Sequence, residues 1–210
     1  MLIIGAGGHA KEVLDILTRL TPNEDFIFYD DVNENLCLLF NKFKIIKTIE
    51  EAELLFTKDP RFVLGIGGPL NRMKLAEKFK NAGGTITSVI SPTAIIGNYD
   101  VILGKGLNIM HHVFISNSVK IGDGSLINAG AKIHHDTKIG NFCEISPGTI
   151  ICGGVQIEDL VFIGAGAVLI PKVKIGSNSI IGAGSVVIND IPKNSVAVGV
   201  PAKVIRPNTT

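Results

Sequence analysis

From residue 103 an aliphatic side chain returns at every sixth position: Leu103, Ile109, Ile115, Ile121 and onward to Val187, fifteen in succession. The residue four places after each is mostly small or β-branched, as at Val113, Val119, Ser125, Ala131, Thr137, Cys143 and Ala167. Glycine often follows the aliphatic, in "IGDG", "IGNF", "IGAG" and "IGSN". A six-residue period matches neither the 3.6 of an α-helix nor the alternation of a simple strand. It predicts a parallel β-helix in which each hexad is one short strand plus a turn. The aliphatic and the small residue both face a narrow interior.

Residues 1–90 follow another pattern and hold seven of the ten phenylalanines. "MLII" reads as a short strand and "GAGGH" as a turn, while "AKEVLDILTRL" sets Val13, Leu14, Leu17 and Leu20 at helical spacing. "DFIFYDD" is a second strand ending in paired aspartates, and "RFVLGIGG" a third. "PLNRMKLAEKFKNAGG" is a helix with Pro69 near its start and glycines at its end. Strand, glycine turn, helix, strand predicts a small Rossmann-like α/β unit with a parallel sheet. The chain thus divides into an α/β unit at 1–90 and an all-β unit at 91–210. Parallel sheets bind ligands beyond the carboxyl ends of their strands, where "GAGGH", "YDD" and "GIGGPLNR" fall.

Charge narrows the partners. Twenty lysines and arginines against nineteen acids give a net charge of +1, no footprint for nucleic acid or an anionic membrane. No apolar run approaches the roughly 20 residues that span a bilayer. "MLIIGAGG" lacks the basic and long apolar regions of a secretory signal. The three cysteines, Cys37, Cys143 and Cys152, form no CxxC pair and suit a reducing cytoplasm.

Two stretches carry candidate chemistry. "AKIHHDTKIG" sets His134, His135 and Asp136 into an otherwise plain repeat. Adjacent strand residues face opposite ways, so the two histidines cannot share one role. "GAGGHAKEV" offers glycines and a helix N-terminus suited to phosphate. It matches the dinucleotide fingerprint only at Gly5 and Gly7, because the third glycine position is Ala10.

The hexads followed by "VINDIPKNSVAVGVPAKVIRP" resemble the hexapeptide-repeat acyltransferases, whose β-helix is left-handed with three hexads per coil. "IIGAGGHAKEVLDIL" and "FYDD" narrow the resemblance to nucleotide-sugar N-acetyltransferases of the bacillosamine and perosamine type, with sialic-acid O-acetyltransferases close by. The resemblance implies about five coils, acetyl-CoA as co-substrate, and a homotrimer with active sites between subunits. Residues eighteen apart then stack on adjacent coils, about 4.8 Å apart. Gly153 stands one coil from His135 and Asn117 one coil the other way.

By that resemblance His135 is the general base, Asp136 supports it, Gly153 N–H faces the thioester oxygen and Asn128 lies nearby. His134 belongs to an interface or to solvent. Gly7, Gly8 and His9 are expected near the phosphates of the nucleotide sugar, with Asp30 and Asp31 near its base and Gly67 in the same site. Coenzyme A is expected along the "IGAG" turns at Gly164, Ala165 and Ala183, with Pro201, Ala202 and Lys203 at its adenosine end. The family commonly has a second histidine nine residues after the base, beside the acetyl group; here that position is Glu144. His111 and His135 sit at different phases of the coil, and no acid or cysteine spacing completes a zinc set, so no metal is expected. The resemblance implies N-acetylation of the 4-amino group of a nucleotide-linked sugar for bacterial surface glycan synthesis. A sugar O-acetyltransferase and a catalytically inactive sugar-nucleotide-binding scaffold are the alternatives.

Overall fold

The computed structural model describes residues 1–33 and 35–209. In the α/β unit the elements are β1 (Leu2–Ile4), α1 (Gly8–Leu20), β2 (Ile27–Tyr29), β3 (Leu38–Leu39), β4 (Phe43–Ile46), α2 (Ile49–Phe56), β5 (Arg61–Leu64), α3 (Pro69–Asn81) and β6 (Thr85–Ile86). The sheet order is β3-β4-β2-β1-β5-β6, parallel except for the β3–β4 pair. The predicted strands and two long helices are all present. The sequence reading did not find β3, β4, α2 and β6, short elements with too few turns or alternations to leave a period. A capping box fixes the start of α2: Thr48 accepts from Glu51 N–H while the Glu51 carboxylate accepts from Thr48 N–H.

The second unit is a left-handed β-helix of two-residue strands in three parallel faces. The first face runs through Val89–Ile90, Asn108–Ile109, Leu126–Ile127, Glu144–Ile145, Phe162–Ile163 and Ile180–Ile181. The second runs from Ile95–Ile96 through Lys132–Ile133 to Val186–Val187, and the third from Ile102–Leu103 through Lys138–Ile139 to Lys174–Ile175. Partners stand eighteen residues apart, as in Ile133↔Ile151 and Ile145↔Ile163. The aliphatics from Ile109 to Val187 are buried, and so are Val113, Ser125, Ala131, Thr137 and Cys143 between them. The buried hydroxyls are satisfied by backbone carbonyls, Ser125 donating to Gly140 O at 2.9 Å and Thr137 to Cys152 O at 3.2 Å.

Strand pairing begins two strands before Leu103, because the step from Ile96 to Leu103 is seven residues instead of six. Asp100, at φ 53°, repeats the left-handed corner of Ser118 and Asp136, so the extra residue falls between Ile96 and Tyr99. The chain ends in an antiparallel hairpin of Ser195–Gly199 and Ala202–Pro207, whose first strand joins the first face. Among the described residues no helix is long and apolar enough to cross a membrane.

The three faces point at different surroundings. The first lies under the α/β unit, with Val89, Met110 and Leu126 packed in one cluster with Val13, Leu14 and Leu17 of α1. The third turns Lys120, Lys138 and Lys174 to solvent. The second presents Ile95, Phe114, Ile150, Val168 and Val186 outward, broken by Lys132.

Candidate active site

His135 and Asp136 occupy the corner between the second and third faces. Asp136 has φ 60°, a left-handed turn that a short polar side chain tolerates. The turn brings its Oδ2 to 2.8 Å from His135 Nδ1. A carboxylate only accepts, so Nδ1 carries the proton and Nε2 is left with its lone pair outward. Both side chains are 67% exposed in the single chain.

The imidazole lies over Gly153 on the next coil. A Cβ at Gly153 would stand 2.6 Å from His135 Cε1 and 2.7 Å from Nε2, so only glycine leaves room for the ring. Among the described residues Gly153 N–H donates no hydrogen bond, while Gly154 N–H is taken by His135 O at 2.9 Å. A base with an open lone pair and an unused amide donor thus sit side by side. His134 is one residue back, with its ring 5.8 Å from that of Phe114 on the second face.

Asn128 stands elsewhere, at the corner between the first and second faces, with Oδ1 accepting from Ala129 N–H at 2.8 Å. Gly164 and Ala183 stack at that same corner, a Cβ at Gly164 falling 2.5 Å from Ala183 N. Ala165 and Ala183 are exposed there, and the tail residues Pro201 and Lys203 are exposed around the buried Ala202. One chain therefore carries its base on one edge of the second face and the expected coenzyme A corner on the other.

In the α/β unit Gly7, Asp30 and Asp31 line a pocket of 230 Å³ at the carboxyl ends of β1 and β2. A Cβ at Gly7 or Gly8 would meet nothing within 4 Å, so the α1 N-terminus is open above. Asp30 Oδ1 accepts from Val32 N–H at 2.9 Å and Asn33 N–H at 3.2 Å, so this carboxylate closes its own turn. Asp31 Oδ2 accepts from Tyr29 OH at 2.8 Å and Lys78 Nζ at 3.3 Å, contacts that hold its carboxyl below the usual range against the opposing effect of burial.

His9 is largely buried at the start of α1. Burial, with the Arg72 charge nearby, lowers its pKa to about 4, so the ring is neutral at physiological pH. Among the described residues neither ring nitrogen has a hydrogen-bond partner. Nδ1 lies 3.5 Å from Glu12 Oε2 without a hydrogen bond, so this desolvated imidazole beside an open helix N-terminus is suited to hydrogen-bond a ligand.

Arg72 and Glu144 complete the junction of the two units. Arg72 is fully buried in α3 and donates to Gly124 O at 2.9 Å, Ile66 O at 2.7 Å and Asn108 Oδ1 at 2.7 Å. Burial lowers its pKa to about 10, and the charge of Glu144 works in the opposite direction. Glu144 Oε2 accepts from Gly68 N–H at 2.6 Å and would stand 3.1 Å from a Cβ at Gly67. Glu144 and Gly67 therefore meet each other, on a different face from His135. The sequence signal for Arg72 was its helical phase: it shares the buried stripe of α3 with Ala76 and Phe79.

Residues 1–79 match the PglD N-terminal domain model, and residues 118–153, 136–171 and 154–189 match the bacterial transferase hexapeptide model. The chain is 33% identical to PerB of Caulobacter crescentus, solved with CoA and GDP-perosamine, over 98% of this chain and 96% of that one at a TM-score of 0.86. It belongs to the hexapeptide-repeat nucleotide-sugar N-acetyltransferases. The acetyltransferase is also 29% identical to the acetyltransferase domain of PglB from Neisseria gonorrhoeae, over 97% and 98% of the two chains at a TM-score of 0.86. WeeI from Acinetobacter baumannii is 27% identical over 97% and 98%, with a TM-score of 0.87. No curated protein matches the acetyltransferase at a significant level.

Two predictions follow from the acetyltransferase's geometry. Gly153→Ala meets no left-handed backbone strain but collides with the His135 ring. Turnover should fall by about 10²-fold or more, the worth of a general base, with the melting temperature within about 2 °C of wild type. Full activity in this variant would show that the ring need not lie over Gly153.

The second concerns His9, whose pKa falls from 6.5 to about 4 on folding. Between those values the unfolded chain takes up a proton that the folded chain refuses, so stability is lost as pH falls from 6.5 through about 4. The full effect is on the order of 3 kcal/mol. His9→Gln should flatten this part of the stability–pH curve; parallel curves from pH 7.5 to 4 would refute the assignment.

Proposed function

We propose that the chain transfers the acetyl group of acetyl-CoA to the 4-amino group of a nucleotide-linked sugar, with His135 as general base. The observation that carries this reading is the His135–Asp136 pair lying over the free amide of Gly153. The neutral amine attacks the thioester carbonyl and a C–N bond forms. His135 Nε2 accepts the amine proton, and Gly153 N–H donates to the oxyanion. Collapse of the intermediate breaks the C–S bond, and the protonated imidazole returns its proton to the departing coenzyme A thiolate. Asp136 keeps the proton on Nδ1, so that Nε2 faces the amine. In support, the C. crescentus perosamine N-acetyltransferase binds CoA and GDP-perosamine, also with a histidine replaced by asparagine or alanine.

Gly7 and Gly8 at the α1 N-terminus, with the neutral ring of His9, hold the diphosphate, while Asp31 and the pocket floor meet the nucleobase. Gly67 borders the sugar. Coenzyme A runs along Gly164, Ala165 and Ala183 beside Asn128 and reaches Pro201, Ala202 and Lys203. The α/β unit binds the nucleotide and the β-helix acetylates, with the boundary just before Val89, where the first coil strand begins, instead of after residue 90. Three free thiols and acetyl-CoA as donor support a reaction in the cytoplasm.

The assembly is a closed homotrimer. Its support is the second face: outward Ile95, Phe114, Ile150, Val168 and Val186 separate the base edge from the coenzyme A edge. Packing that face against a neighbour brings the base of one chain to the coenzyme A corner of the next.

Coenzyme A release should appear with 4-amino sugars linked to UDP, GDP or dTDP and be absent with free sialic acid or hydroxyl-only nucleotide sugars. His135→Ala should lower kcat by roughly 10²–10⁴, and His134→Ala much less. Equal losses from both, or acetylation of hydroxyls alone, would overturn the reading. For the assembly, light scattering should give three chains, and Val168→Lys should yield monomers with little activity. A fully active monomer would exclude shared sites.

A further inference from the structure

The loop between β5 and α3, "GIGG" at 65–68, is tied to β1 by Gly65 N–H, which donates to Ile4 O at 2.7 Å, and beyond that to the β-helix. Asn108 Nδ2 donates to Leu64 O at 2.9 Å where the loop leaves the sheet. Arg72, anchored on Gly124 O and Asn108 Oδ1 of the coils, donates to Ile66 O in mid-loop. Glu144 Oε2 then accepts from Gly68 N–H at 2.6 Å, the amide that opens α3. Gly68 has φ 82°, so the loop adopts a left-handed turn there. Leu64 at the end of β5 and Gly68 at the end of the loop are thus tied directly to coil residues 44 and 76 positions away, while Ile66 is tied to them through Arg72.

Glu144 also settles which helix start is open to an anion. A carboxylate at the α3 N-terminus satisfies the donor and the positive end of the dipole that a phosphate would use. The α1 N-terminus at Gly7 and Gly8 has no such occupant, since nothing lies within 4 Å of either Cβ position. The two glycine loops flanking β1 are therefore unequal. One is left free for phosphate and the other is filled from within.

We propose that Glu144 is a positioning residue for the nucleotide sugar: with Arg72 it fixes the β5–α3 loop against the coils and closes the α3 N-terminus to phosphate. It acts on sugar-nucleotide geometry, and it does not act on the thioester. This rests on the reading of the chain as a nucleotide-sugar acetyltransferase. Glu144→Gln keeps an oxygen acceptor for Gly68 N–H but loses the charge opposite Arg72, whereas Glu144→Ala loses both.

The test uses the intact trimer with GDP- and UDP-linked 4-amino sugars, together with amide hydrogen exchange of residues 64–72 measured without any substrate. Glu144→Ala should raise the nucleotide-sugar KM about tenfold and leave the acetyl-CoA KM within about twofold. It should also accelerate exchange across the loop by tenfold or more, with Glu144→Gln restoring most of both. A rise in the acetyl-CoA KM with an unchanged sugar KM would overturn the proposal, as would unchanged loop exchange. If the wild-type protein acetylates no nucleotide amino sugar, the functional reading fails, and the exchange comparison still decides whether Glu144 holds the loop.

Discussion

A prism three short strands around has room inside for one aliphatic and one small side chain per hexad, and that steric limit governs the rest of the molecule. It keeps every strand at two residues and forces residues eighteen apart into direct contact. Chemistry is then placed by stacking alone. His135 reaches Gly153 because the fold puts one above the other, and glycine is required there because any Cβ would occupy the ring's position. The interior is dry and close-packed, so this alignment is stiff. A base set on a stiff corner needs no further framework to stay in line with its amide donor.

The coils also discipline the α/β unit. Arg72 is a full positive charge with no exposed surface, a placement that costs several kcal/mol unless every donor is matched. Its matches are Gly124 O, Ile66 O and Asn108 Oδ1, and two of these belong to the β-helix. Separating the two units would strand a buried guanidinium. The hydrophobic seam of α1 against Val89, Met110 and Leu126 contributes area, but the arginine fixes direction, because its hydrogen bonds tolerate little displacement. The two glycine loops that flank β1 differ for the same reason: one is held by coil residues, the other stands free.

What the sequence disclosed follows from this division. Periodic constraints were legible: the six-residue step gave the coils, and the addition of eighteen gave the His135–Gly153 contact. Interruptions were not. The seven-residue step before Leu103 concealed the first strands, since one inserted residue breaks the count without breaking the fold. Contacts between the units left no spacing to read. The resemblance set Glu144 at the position of an acetyl-site residue, but no spacing announced that its carboxylate accepts from Gly68 N–H at the α3 N-terminus. Asp30 lines the pocket, but nothing in the sequence announced that its Oδ1 also accepts from the Val32 and Asn33 amides. The phase of Arg72 on the apolar stripe of α3 was the one local sign of the junction.

His135 and Asp136 stand open to water in the single chain. A hydrogen bond or developing charge open to water is worth little, because water competes for both partners and screens the field. His135 and Asp136 are each two-thirds exposed in a single chain, and the Gly153 amide gains strength as an oxyanion donor only where water is excluded. Among the described residues nothing on the same chain covers that corner. The apolar second face adjoins it, and the proposed trimer buries that face against another chain. Stacking within one chain thus supplies alignment, and in the proposed trimer the low-dielectric surroundings come from a neighbour.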